Sequence, residues 1–165
     1  VGASLDASGK RAEYIRKGTV WSEVEQNRRQ MLEICPAVDF YISPTLSIMN
    51  ALHICDFHRD WVEQGLLQPQ DLNVNILQDP RYYRIDIAPE HYKEKIRDRF
   101  EQHLEWLKPL DTLNRASVGF ESALNFLSAT DNSNLIPDFW TRTRQLDHIR
   151  KENILDSIPE LEQMV

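Results

Sequence analysis

Residues 1–21, VGASLDASGKRAEYIRKGTVW, decide how the chain is read. A small apolar run at 1–5 ends on an acid. DASGK at 6–10 then supplies turn-forming residues. A basic loop carrying Lys10, Arg11 and Arg16 follows, and Trp21 opens a helix. The order is strand, loop, helix, and the chain starts inside the strand. Working outward, WSEVEQNRRQMLEIC at 21–35 places Trp21, Val24, Met31, Leu32 and Cys35 at roughly helical spacing, and Pro36 stops that helix. VDFYISPTLSI at 38–48 is β-branched and aromatic, with Pro44 near its end, and reads as a second strand. Asn50 is suited to cap ALHICDFHRDWVEQG at 51–65, with Gly65 as the helix stop. LNVNIL at 72–77 alternates as a third strand.

Strands separated by helices of this length predict parallel βαβ units with right-handed crossovers. The second half of the chain has a different texture. APEHYKEKIRDRFEQHLEWL at 88–107 is a long amphipathic helix, with Tyr92, Ile96, Phe100, Leu104 and Leu107 as its apolar positions and Pro89 at its start. A further helix runs over about 112–127, and IPDFWTRTRQLDHIRKEN at 136–153 is the last. The expected division is 1–87 for the α/β part and 88–165 for a helical extension packed on it.

Length and composition bound what such a chain does. Its 165 residues suffice for one domain with a core. The net charge of −7 argues against a broad nucleic-acid footprint. No run approaches the length of a membrane span, and no basic segment followed by an apolar stretch marks a signal peptide. Two cysteines, Cys35 and Cys55, are too few for a disulfide framework. The expected compartment is the cytoplasm, with no nucleic-acid partner and no membrane.

Three parallel strands leave two sheet faces and two edges to cover. Either the domain is complete as a small three-stranded unit, or it is the second half of a larger α/β barrel. The residues favour the second reading. ASLDASGKRAEYIRKGTVWSEVEQN resembles the fourth strand and following loop of radical S-adenosylmethionine enzymes, matching at Ser4, Leu5, Asp6, Tyr14, Ile15, Arg16, Trp21, Val24 and Asn27, with Ala7 where the family has glycine. ISPTLSIMNAL resembles the fifth strand, and LNVNILQDPRYYRIDIAPEHYKEKI the sixth strand and its return. FWTRTRQLDHIRKENILDSIPEL resembles the C-terminal signature of the subgroup with a twitch domain.

The resemblance implies an α/β fold: half of a partial (β/α)6-type barrel, with three parallel strands alternating with helices and a C-terminal helical region. It implies S-adenosylmethionine and a 4Fe-4S cluster as cofactors of the whole protein. The cluster needs a C-x3-C-x2-C loop of soft thiolate ligands. This chain lacks that loop, so the chain alone is expected to hold no cofactor and to be inactive. It would be a truncated chain, an incomplete reading frame or a natural split protein. Its partner would then be the missing N-terminal half-barrel, or a second copy joined through the exposed strand edge; the substrate is unspecified. The alternative is a self-contained α/β interaction module with no catalytic activity.

Strand carboxyl ends are where parallel sheets carry their sites. By resemblance, Ser4 would hydrogen-bond ribose hydroxyls, Asp6 would shape the loop, and Arg16 would face a carboxylate. Ser43 and Thr45 would line the adenine or substrate pocket, and Asn75 and Gln78 would hold similar places on the third strand. Turn formation for Asp6 and an ion pair for Arg16 remain the competing readings. HICDFH at 53–58 groups His53, Cys55, Asp56 and His58, but helical spacing splits them into two faces, so no metal site is expected. Cys35 and Cys55 read as buried thiols, and His91, His103 and His148 as solvated.

Overall fold

Pro44 divides the middle strand of the expected sheet. Ile42 donates its N–H to Asp71 C=O at 2.8 Å and accepts from Asn73 N–H at 2.7 Å. Two residues on, Pro44 has no N–H to give, although its carbonyl still accepts from Asn75 N–H at 2.9 Å. In the computed structural model, which describes residues 1–164, the ladder is therefore split. β1 (Gly2–Ala3) pairs in parallel with β2 (Tyr41–Ile42), and β3 (Thr45–Leu46) pairs in parallel with β4 (Asn75–Ile76). An isolated parallel bridge joins Ile42 to Leu72.

The first strand is equally short, for a different reason. Ala3 C=O accepts from Ser43 N–H at 2.9 Å, but the next donor, Thr45 N–H, goes to the Asp6 carboxylate Oδ1 at 2.7 Å. A side chain takes over from strand backbone. The expected three-strand half of a (β/α)6-type barrel is thus corrected. The described residues form two two-stranded parallel sheets, each strand two residues long, in a mostly helical fold.

The helices are α1 (Gly9–Ile15), α2 (Trp21–Ile34), α3 (Ile54–Glu63), α4 (Glu90–Leu107), α5 (Arg115–Ala129), α6 (Ile136–Arg150) and the single turn α7 (Ile154–Ser157). Two 3-10 turns, Arg81–Tyr83 and Ile85–Ile87, carry the chain from β4 to α4. The basic segment read from sequence as a loop is α1, which buries Ala12 and Tyr14. α3 starts later than expected because Asn50 does not cap it. The Asn50 side chain turns back, donating to the carbonyls of Asp6 (2.8 Å) and Thr45 (3.0 Å) and accepting from Ser47 N–H (2.8 Å).

One hydrophobic core runs through the whole chain. Trp21 meets Phe57 and Trp61 with ring centroids 5.8 and 5.6 Å apart, which docks α2 on α3. The stripe Tyr92, Ile96, Phe100 and Leu107 buries α4. Phe40 and Ile42 are buried, and Ile76 is half-buried. The Arg28 guanidinium lies 3.9 Å above the Phe40 ring. α5 crosses the chain just before β4 at Gly119, where a Cβ would stand 2.7 Å from Val74 Cβ. Only glycine permits that approach. No helix among the described residues is long and apolar enough to cross a membrane.

Candidate functional site

Asp6 is the junction of the strand ends. Its Oδ1 accepts from Thr45 N–H, its Oδ2 from Arg16 Nε at 2.6 Å, and its carbonyl from Asn50 Nδ2. The carboxylate is buried while Arg16 remains solvent-exposed. Asp6 and Thr45 open onto a cavity of about 270 Å³ at the carboxyl ends of the strands. Ile15, Met49, Leu77, Pro80 and Leu146 give it apolar walls. Tyr14, Ser47, Tyr83 and Arg150 complete its polar side.

α1, the Arg81–Tyr83 turn and α6 bring these groups together. The Tyr14 hydroxyl donates to Asp147 Oδ1 at 2.7 Å, and Arg150 Nη1 donates to the Tyr14 carbonyl at 3.0 Å. Burial and the Asp147 carboxylate push the Tyr14 pKa well up, so its phenol keeps its proton. Asp147 Oδ2 is occupied by Ile154 N–H at 3.0 Å. The whole C-terminal side of the cavity is therefore fixed by hydrogen bonds between the two ends of the chain.

The expected site residues do not all converge. Asp6 and Thr45 line the cavity, and Arg16 reaches it only through Asp6. Ser4 and Asn75 are solvent-exposed, Ser43 is half-buried, and none of the three lines the cavity. The Asn75 amide folds back on the Asn73 carbonyl at 3.1 Å, and Gln78 does the same to Ile76 at 3.2 Å. Tyr83 and Arg150 are among the members that sequence reasoning missed. Both come from segments outside the strand–helix alternation, and nothing in local spacing marks them.

The HICDFH segment scatters. His53 Nε2 accepts from the Ser8 hydroxyl at 2.8 Å and from Ser8 N–H at 3.3 Å, and burial with Arg11 nearby lowers its pKa to about 4. Asp56 pairs with Arg99. Cys55 lies against the Arg99 carbonyl at 3.8 Å, and burial pushes its thiol up to about 12. His58 turns inward to His103. Arg59 Nε–H donates to His103 Nδ1 at 3.3 Å. The His103 proton is then on Nε2, and it donates to His58 Nδ1 at 2.9 Å. Burial lowers the His58 pKa to about 4; burial, then His58 and Arg59, lower that of His103 to about 2. His103, expected to be solvated, is fully buried, and Cys35, expected to be buried, is exposed.

Among the described residues no three His, Cys, Asp or Glu side chains gather as a metal-binding group. The two thiols do not fit an iron–sulfur cluster, since Cys35 sits exposed just beyond α2 and Cys55 is buried in α3. Compared with family models, curated proteins and solved structures, the chain matches none.

Proposed function

We propose that the cavity at the strand ends is a small-molecule pocket, and that the chain contributes it to the cofactor and substrate site of a radical S-adenosylmethionine enzyme whose cluster thiolates lie outside these 165 residues. The sequence resemblance supplies the family. The observation that carries the pocket is its position: it opens where parallel strands end and helices begin, the place where ligands bind in parallel α/β units. Its apolar walls and convergent polar groups suit a ligand with a flat apolar body and a few polar atoms. S-adenosylmethionine, when bound to such an enzyme, supplies the radical chemistry. This chain's residues bind and orient. The Thr45 hydroxyl and the Asp6 carboxylate meet the ligand from the strands, while Tyr14, held as a neutral phenol, closes the opposite side.

The test is ligand-observed NMR or calorimetry with 5′-methylthioadenosine, an adenosine body that carries no carboxylate. Saturable binding that is lost in Leu77→Trp, which fills the cavity, is the expected result. No binding up to about 10 mM, a free energy weaker than about −3 kcal/mol, overturns the reading.

One observation favours the interaction-module reading instead. Tyr41, Leu113 and Val118 stand exposed around a single hollow beside β2. Exposed apolar groups collected in one place suit a protein surface. Under this reading the chain binds another subunit and 5′-methylthioadenosine does not bind.

A further inference from the structure

The cavity holds a cation with no direct ion-pair partner among the described residues. Arg150 is half-buried at the end of α6. Its hydrogen bond runs to a neutral carbonyl, that of Tyr14, at 3.0 Å. Among the described residues Arg150 forms no ion pair, in a chain with 26 acidic and 19 basic residues. Two nearby carboxylates are spent on other donors: Asp147 on the Tyr14 hydroxyl and Ile154 N–H, Asp6 on Arg16 and Thr45 N–H. A guanidinium held against apolar walls without a counter-charge is costly unless an anion arrives.

The chemistry of that anion can be narrowed. A guanidinium offers five N–H donors in a planar fork that fits a carboxylate with two parallel hydrogen bonds. No lysine and no second arginine lines the cavity, so the site balances one negative charge rather than the two of a phosphate. The volume lies at the small end of ligand pockets, and five apolar side chains supply its walls. We infer that Arg150 anchors the carboxylate of a small monocarboxylate substrate whose apolar body lies against Leu77, Pro80 and Leu146. Thr45 and Tyr83 line the same space and carry hydroxyls suited to neutral hydrogen bonds with the rest of the molecule. This deepens the reading of the same cavity as a ligand pocket, and it does not depend on the adenosyl ligand.

The probes are 3-phenylpropanoate, its neutral counterpart 3-phenylpropanamide, and inorganic phosphate, titrated into the full chain by calorimetry. The carboxylate should bind about tenfold or more tightly than the amide, and phosphate should not compete. Arg150→Gln should erase the preference, and Arg144→Gln, an exposed arginine of the same helix, should leave it intact. Arg150→Lys keeps the charge but not the fork, and should lower the carboxylate-to-amide ratio severalfold. It also reports on the site if Arg150→Gln does not fold, which circular dichroism reveals. Equal binding of acid and amide, an unchanged ratio in the Arg150 variants, competition by phosphate, or no carboxylate binding up to about 10 mM each overturns the inference. If 5′-methylthioadenosine binds and the carboxylate does not, the inference fails alone. If the carboxylate binds through Arg150 and the nucleoside does not, the adenosyl reading fails alone.

Discussion

At the scale of single residues, Asp6 has two occupations that mutation separates. Its carboxylate stands in for a strand carbonyl toward Thr45 N–H and faces the cavity. Asp6→Ala leaves that buried donor without its acceptor and should lower stability by about 1–3 kcal/mol in urea denaturation. Asp6→Asn keeps an acceptor oxygen and should lose less; an equal loss in both variants would assign the effect to the Arg16 pair. A second residue-scale expectation concerns the thiols. With Cys35 exposed and Cys55 buried at a pKa near 12, a disulfide reagent at pH 8 should titrate one thiol per native chain and two after unfolding. Two equally fast thiols in the native chain would contradict the burial of Cys55. Asp6 and Thr45 were legible in the sequence because strand ends and turn-formers mark them. Ser4 and Asn75 were equally well marked, yet both lie outside the cavity: Ser4 is exposed just beyond the two-residue strand β1, and Asn75, within β4, folds its amide back on the Asn73 carbonyl. His103 looked solvated because its helix is rich in charge, yet the position faces α3, and a neutral imidazole is small enough to bury once His58 answers it.

At the scale of elements, sequence periodicity located α2 and α4 within a few residues, since an apolar stripe is a local property. The strands were read too long. Pro44 was visible, but the loss of a ladder bond shows only when the neighbouring strand is known. α1 escaped notice because its seven residues carry just two buried side chains, Ala12 and Tyr14. The α5 crossing gives a sharp test. Gly119→Ala should gain about 1 kcal/mol of helix propensity. The new methyl would nonetheless meet Val74 at 2.7 Å, so the net result should be destabilising by about 1–3 kcal/mol. Val74→Ala in the same chain should recover part of that loss, and additive losses in the double variant would refute the contact. The α3–α4 seam sets a pH dependence. His58 and His103 have folded pKa values near 4 and 2, below the ordinary 6.5, so the unfolded chain binds more protons once the pH drops below 6.5. Stability should therefore be full above that pH and fall through the window from 6.5 to 4, at up to about 1.4 kcal/mol per pH unit for each ring. A urea midpoint that stays flat between pH 7 and 5 would rule out the neutral buried pair.

At the scale of the whole molecule, the sequence suggested a half-barrel because parallel strands, helix lengths and chain order all agreed with one. What it could not display was how little sheet those strands would retain, or that Phe40 and Ile42 would be buried, Phe40 beneath the Arg28 guanidinium of α2. β1 is an edge strand, with Val1 and Gly2 exposed. We propose that this edge supports self-association, and sedimentation across a concentration series should show a rising mean mass. A concentration-independent monomer would dismiss it. The stitching of the two ends of the chain has a further consequence, for the order in which the molecule is made. Tyr14 to Asp147, Arg11 to Glu160 and Lys17 to Glu152 are contacts closed over nearly the full contour. A nascent chain emerging from the ribosome holds α1 long before α6 and the Pro159–Met164 turn exist. Contacts of such sequence separation close slowly, and their entropy is lost before their reward arrives. The first helix must wait for these contacts until residues 147–160 have been made, and during that interval its apolar residues are available to chaperones.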